Sequence, residues 1–134
     1  MIDHQTALIY TMVFMSAADT DMTDAELRMI GEAIGTLPVF KGYDMENLTA
    51  TAADCAEVLN RQDGLDEAFD EIEAVLPKKL RETAYALACD IAAADGDVHQ
   101  EELRLLEMIR HRLDIDRLTA AAIERGARAH FATV

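Results

Sequence analysis

Residues 92–106 read AAADGDVHQEELRLL, and residues 16–30 read SAADTDMTDAELRMI. The two stretches align at an offset of 76 residues, setting Asp19 against Asp95, Asp21 against Asp97 and Glu26 against Glu102. Leu27-Arg28 then matches Leu103-Arg104. Each stretch lies between apolar runs of helical spacing, so each reads as the turn of a helical hairpin. Either one helix-joining device is used twice, or the chain carries two halves of one acidic site.

Working outward, the same spacing extends over most of the chain. Leu27, Ile30, Ile34 and Leu37 step by three, four and three, and Leu48, Ala52, Cys55 and Leu59 by four, three and four. Leu80, Ala84, Leu87, Ile91 and Ala94 continue the pattern, and all of these are expected in the core. Seven helices follow, near 4–18, 24–37, 45–61, 65–76, 78–94, 100–112 and 116–130. Pro38 ends the second helix, because the residue before a proline is driven out of the helical region. Gly64 is available for a left-handed turn between the third and fourth, and Pro77 opens the fifth. No alternation of strand type persists. The expected fold is all-α: two similar hairpins in a pseudo-twofold arrangement, joined by the shorter helices between them, with both acidic turns at one end.

A chain of 134 residues with 51% hydrophobic and 28% charged residues reads as a single globular domain, 1–134. No apolar run approaches the roughly 20 residues that span a bilayer. The opening MIDHQTALIYTMVFMSAAD has no Lys or Arg before its apolar stretch, unlike a secretory signal. Cys55 and Cys89 sit within apolar helical patterns and read as core thiols in a reducing, cytoplasmic setting, although a disulfide between two packed helices stays open.

Twenty-six acids against twelve bases give a net charge of −14. Such a chain repels phosphate backbones and anionic membrane surfaces. Cations and basic protein surfaces are the partners that its field favours.

Two readings of the acidic turns compete. In TDAE, Thr23 can cap the second helix while Glu26 reaches back, and His99 and Glu102 hold the equivalent places. Capping and the helix dipole account for Asp24, Glu26, Glu101 and Glu102, but not for Asp19, Asp21, Asp95 and Asp97, which precede the cap. DGDVHQEE matches the second half of a calcium-binding loop, but Ile91 and Ala93 stand where the first ligands belong. Met15 and Ala17 fail in the same way in the first copy. If the halves converge, Asp19, Asp21, Glu26, Asp95, Asp97 and Glu102 supply six carboxylates, an all-oxygen set suited to Ca²⁺, Mg²⁺ or Mn²⁺. Two carboxylates about 4 Å apart repel by roughly 4 kcal/mol at an effective dielectric near 20, which a cation would relieve.

The single serine, Ser16, argues against a serine-nucleophile triad, and the four histidines show no zinc-like pair. No phosphate-binding glycine loop is present. EAFDEIEAVLPKK reads as a solvated acidic face, and in PVFKGYDM Val39 and Phe40 are expected to tuck onto the core.

Paired AxADG-apolar-xxxE segments at helical turns resemble the TerB family, tellurite-resistance protein B and its relatives. The second copy, Ala92 to Glu102, carries the motif, Thr20 replaces its glycine in the first, and the likeness covers residues 4–130. The resemblance implies an all-helical fold and cation binding by the six acids named above. It also implies a role beside other proteins of bacterial stress and tellurite-resistance systems. The expected function is therefore a non-enzymatic module that binds a divalent cation and docks other proteins. The alternative is an interaction domain with an acidic surface and no metal site. A metal-dependent hydrolase would need open coordination positions and a substrate cleft, for which the sequence has no sign.

Overall fold

The first helix carries apolar residues on every face, a pattern that suits the centre of a molecule. In the computed structural model, which describes residues 2–18, 24–94, 98 and 100–134, this helix is α1 (His4–Ala18), and every residue from Ala7 to Ser16 is buried. The hydroxyls of buried Thr11 and Ser16 are satisfied within the helix: Thr11 donates to the Ala7 carbonyl at 3.0 Å and Ser16 to that of Met12 at 3.3 Å.

Six further α-helices follow: α2 (Asp24–Thr36), α3 (Leu48–Leu59), α4 (Gly64–Val75), α5 (Lys78–Ala93), α6 (Gln100–Arg112) and α7 (Arg117–Phe131). The described residues form seven α-helices and no strand, the all-α fold that the periodicity implies. The third helix starts later than expected because residues 45–47 form a 3₁₀ turn first, with the Asp44 carboxylate accepting from the Glu46 amide at 3.0 Å.

Helices α1 and α5 pack on each other and form the axis of the fold. α3 and α4 cover α1, while α7 covers α5. α6 touches α1 as well as α5, and α2 touches α5 as well as α1. Each hairpin's second helix thus reaches the first helix of the other, the reciprocity that a pseudo-twofold pairing requires. Phe14 and Phe69 meet edge to face at 5.4 Å and tie α1 to α4. The segment after α2 folds back as expected: Phe40 is buried, Val39 is packed against the core, and Gln5 donates from Nε2 to the Val39 carbonyl at 3.1 Å.

Two expectations are corrected. Leu27 is not core but 54% exposed. The buried arc of α2 holds Glu26, Ile30, Ala33 and Ile34, and at about 100° per residue Leu27 falls beyond its edge. Gly64 does not take the left-handed turn; Asp63 does, at φ 59°. Gly64 is instead the first residue of α4, where a Cβ would stand 2.0 Å from the Val58 carbonyl oxygen. Close backbone approach, not left-handed freedom, is why a glycine is needed there.

Candidate functional site

The two acidic turns join α1 to α2 and α5 to α6. Asp19, Asp21, Asp95 and Asp97 lie outside the described residues, as do Thr23 and His99. Glu26 and Glu102 lie within them, and they are alike. Each is the third residue of its helix, and they are 1% and 2% exposed. Both side chains are engaged by interactions within the chain. A carboxylate in a helix's first turn is favoured by the dipole, but burial removes it from water at a cost that solubility cannot explain. Neither of these two acids belongs to a solvated face.

The flanks of both turns share one end of the molecule. Ala94, just past α5, lines one surface depression with Ala25 and Met29 of α2. Ala17 of α1 lines another with Glu101 and Leu105 of α6. The start of each second helix therefore stands beside the end of the other hairpin's first helix. Among the described residues, no three His, Cys, Asp or Glu side chains come together as a metal-binding group. What is described of the donor set, two buried carboxylates, fits the oxygen chemistry of a hard cation.

The residues that follow these glutamates also correspond. Leu103, like Leu27, is left half exposed, at 50%. Both hairpins turn the same helical face inward, and the leucine at its margin is uncovered in each.

The acidic face of α4 is less simple than its sequence suggested. Asp66 and Asp70 are exposed, but Arg112, from the last turn of α6, crosses to them at 3.1 and 2.8 Å and to Glu73 at 3.2 Å. Donating to the Glu73 carboxylate holds the guanidinium firmly in its charged form. The carboxylate spacing of four and three was the available signal, since it puts all three acids on one side of a helix. A second polar contact had no local signal at all: Tyr85 donates to Glu124 Oε2 at 2.5 Å across 39 residues.

Cys55 and Cys89 are free and buried, as a core reading requires. Burial pushes each thiol up to about 12, which leaves both poor nucleophiles. Among the described residues no helix is long and apolar enough to cross a membrane.

Comparison with curated proteins and with solved structures gives no match. The family model described as tellurite resistance protein TerB matches residues 5–125. With a helical fold built on two equivalent hairpins and a family match over nearly its whole length, the chain belongs to the TerB family.

Proposed function

We propose that this chain is a non-enzymatic, cytoplasmic TerB-like module of bacterial stress or tellurite-resistance type. It binds a divalent cation through its paired acidic turns and docks other proteins. The observation that supports this reading is the matched burial of Glu26 and Glu102 at one end of the molecule. A buried carboxylate is retained where donors or a cation compensate its desolvation. Two such groups at equivalent positions, each preceded in sequence by an Asp-x-Asp pair, are what a shared Ca²⁺, Mg²⁺ or Mn²⁺ site would use. Asp19, Asp21, Asp95 and Asp97 would complete it.

The test is thermal melting with and without millimolar Ca²⁺, Mg²⁺ or Mn²⁺. A ligand held only by the folded state raises the melting temperature. Asp19→Asn or Asp95→Asn alone should remove most of that rise. An equal rise in the wild type and the Asp19→Asn, Asp95→Asn double variant would reject the shared site.

The half-exposed Leu27 and Leu103 favour a second reading, an interaction domain without metal. Its partner would be a basic protein surface drawn by the net charge of −14. A chain whose melting ignores cations, yet which captures a basic partner in a Leu27- and Leu103-dependent way, would favour it.

A further inference from the structure

Helices α5, α6 and α7 leave an open cleft of about 310 Å³ between them. Cys89, Ala92, Leu106 and Ala127 give it apolar walls. Val98 and Leu103 also line it, and both are large apolar side chains left 43% and 50% exposed. The volume is at the small end of the range for sites that take organic ligands.

The polar groups on the cleft are unequal. Glu124 already accepts the Tyr85 hydroxyl, so its carboxylate is partly satisfied by the wall itself. Arg110 and Arg128 line the cleft without a carboxylate partner among the described residues; Arg110 meets only the His111 ring, at 3.3 Å. Two arginines without ion-pair partners among the described residues therefore border an apolar cavity in a chain where acids outnumber bases 26 to 12. Glu107 is the remaining acid on the lining.

We propose that this cleft binds a small anionic amphiphile, a medium-chain carboxylate. Its chain lies along Leu103, Leu106 and Ala127, and its head is held by Arg110 and Arg128. Guanidinium groups suit carboxylates because their planar donors match both oxygens. The site borders the α5–α6 turn, to which Val98 belongs, but its charged ligand groups are arginines, so it needs no cation.

Calorimetric titration of the whole chain with octanoate, octanol and octylammonium, in the presence of a chelator, tests this. The overall charge repels octanoate and attracts octylammonium everywhere on the surface, so preference for the anion can come only from a local site. Octanoate should bind at least tenfold more tightly than octanol, and octylammonium should not compete with it. The Arg110→Gln, Arg128→Gln double variant should lose that preference and bind octanoate no better than octanol. Leu103→Glu places an acid on a half-exposed position, so the helical fold is kept, and octanoate binding should be lost. Tighter binding of octylammonium, absence of heat with octanoate at millimolar concentration, or undiminished octanoate binding by both variants would overturn the proposal. So would self-association of the chain that Leu103→Glu abolishes, because a second copy would then be the occupant.

Discussion

The Arg112 guanidinium lies 5.0 Å from the centre of the Phe69 ring while its nitrogens reach Asp66, Asp70 and Glu73. One side chain from α6 thus covers an aromatic core residue of α4 and neutralises part of an acidic face. Because Phe69 in turn meets Phe14 of α1, the contact fixes the hairpin that carries Glu102 against the rest of the core.

Arg112→Ala should destabilise the fold by about 1–3 kcal/mol, since it removes a cation–π contact and a charged network together. Arg112→Lys keeps the charge but not the planar fork, and should recover less than half of that loss. Asp66 and Asp70 are well exposed, so their share should fade in about 1 M salt, whereas the Phe69 share should persist. Chemical denaturation of the variants at low and high salt measures each part. Equal stability of Arg112→Lys and wild type at both salts would remove the stacking contribution.

Two glycines should respond in opposite directions to the same substitution. Gly64→Ala brings a Cβ within 2.0 Å of a carbonyl oxygen of α3 and should cost about 1–3 kcal/mol. Gly126 is within α7 with nothing near its Cβ position, so Gly126→Ala should stabilise by about 0.5–1 kcal/mol through helix propensity. Melting temperatures of the two variants, one below and one above wild type, check both.

The contrast shows where sequence reasoning reached its limit. Helix number and stops were legible because they depend on local terms: apolar spacing, Pro38 and the Asp-Gly break where α4 begins. The close approach of Gly64 to Val58 is a packing fact, invisible to a window that sees only turn chemistry. The spacing of Leu27 from Ile30 and Ile34 is helical, but which edge of a helix is covered depends on its neighbours, and Leu27 lies on the uncovered one. Of the candidate site, the repeat itself was legible. The burial of Glu26 and Glu102 was not, because capping and burial place the same residue type at the same position. Arg112 with its three acids and Tyr85 with Glu124 are pairings between distant segments, which local pattern does not report.

Stability should fall in alkali. Burial moves Cys55 and Cys89 from 9.0 up to about 12, so between those values the folded chain keeps protons that the unfolded chain has lost. A group raised in this way contributes fully below its unfolded pKa, and the contribution is lost as pH rises through the folded value. Tyr10, raised by burial from 10.0 to about 12, adds the same sign from pH 10 upward, and Tyr85 is raised further by burial and its bond to Glu124. Urea midpoints should be flat to about pH 9 and then decline. In a Cys55→Ala, Cys89→Ala variant the whole curve should drop, because cavities are created, but its slope between pH 9 and 10 should flatten. An unchanged slope would mean that the thiols do not titrate in that window.

The paired glutamates allow a sharper test than any single acid. If Glu26 and Glu102 only cap their own helices, Glu26→Gln and Glu102→Gln should each cost about 1 kcal/mol or less. Those costs should be the same with cation or chelator, and additive to within about 0.3–0.5 kcal/mol, as for independent sites. If both ligate one cation, each single substitution should abolish most of the cation-dependent rise in melting temperature. The double variant should then lose little more than either single variant, because the shared ion is already gone. That non-additivity should appear with Ca²⁺, Mg²⁺ or Mn²⁺ present and shrink in chelator, where no common ligand couples the two helices. A four-member cycle measured in both conditions separates the cases by the sign and cation dependence of one coupling energy. Additive, cation-independent costs would leave the carboxylates as structural caps and transfer the functional case to the exposed leucines beside them.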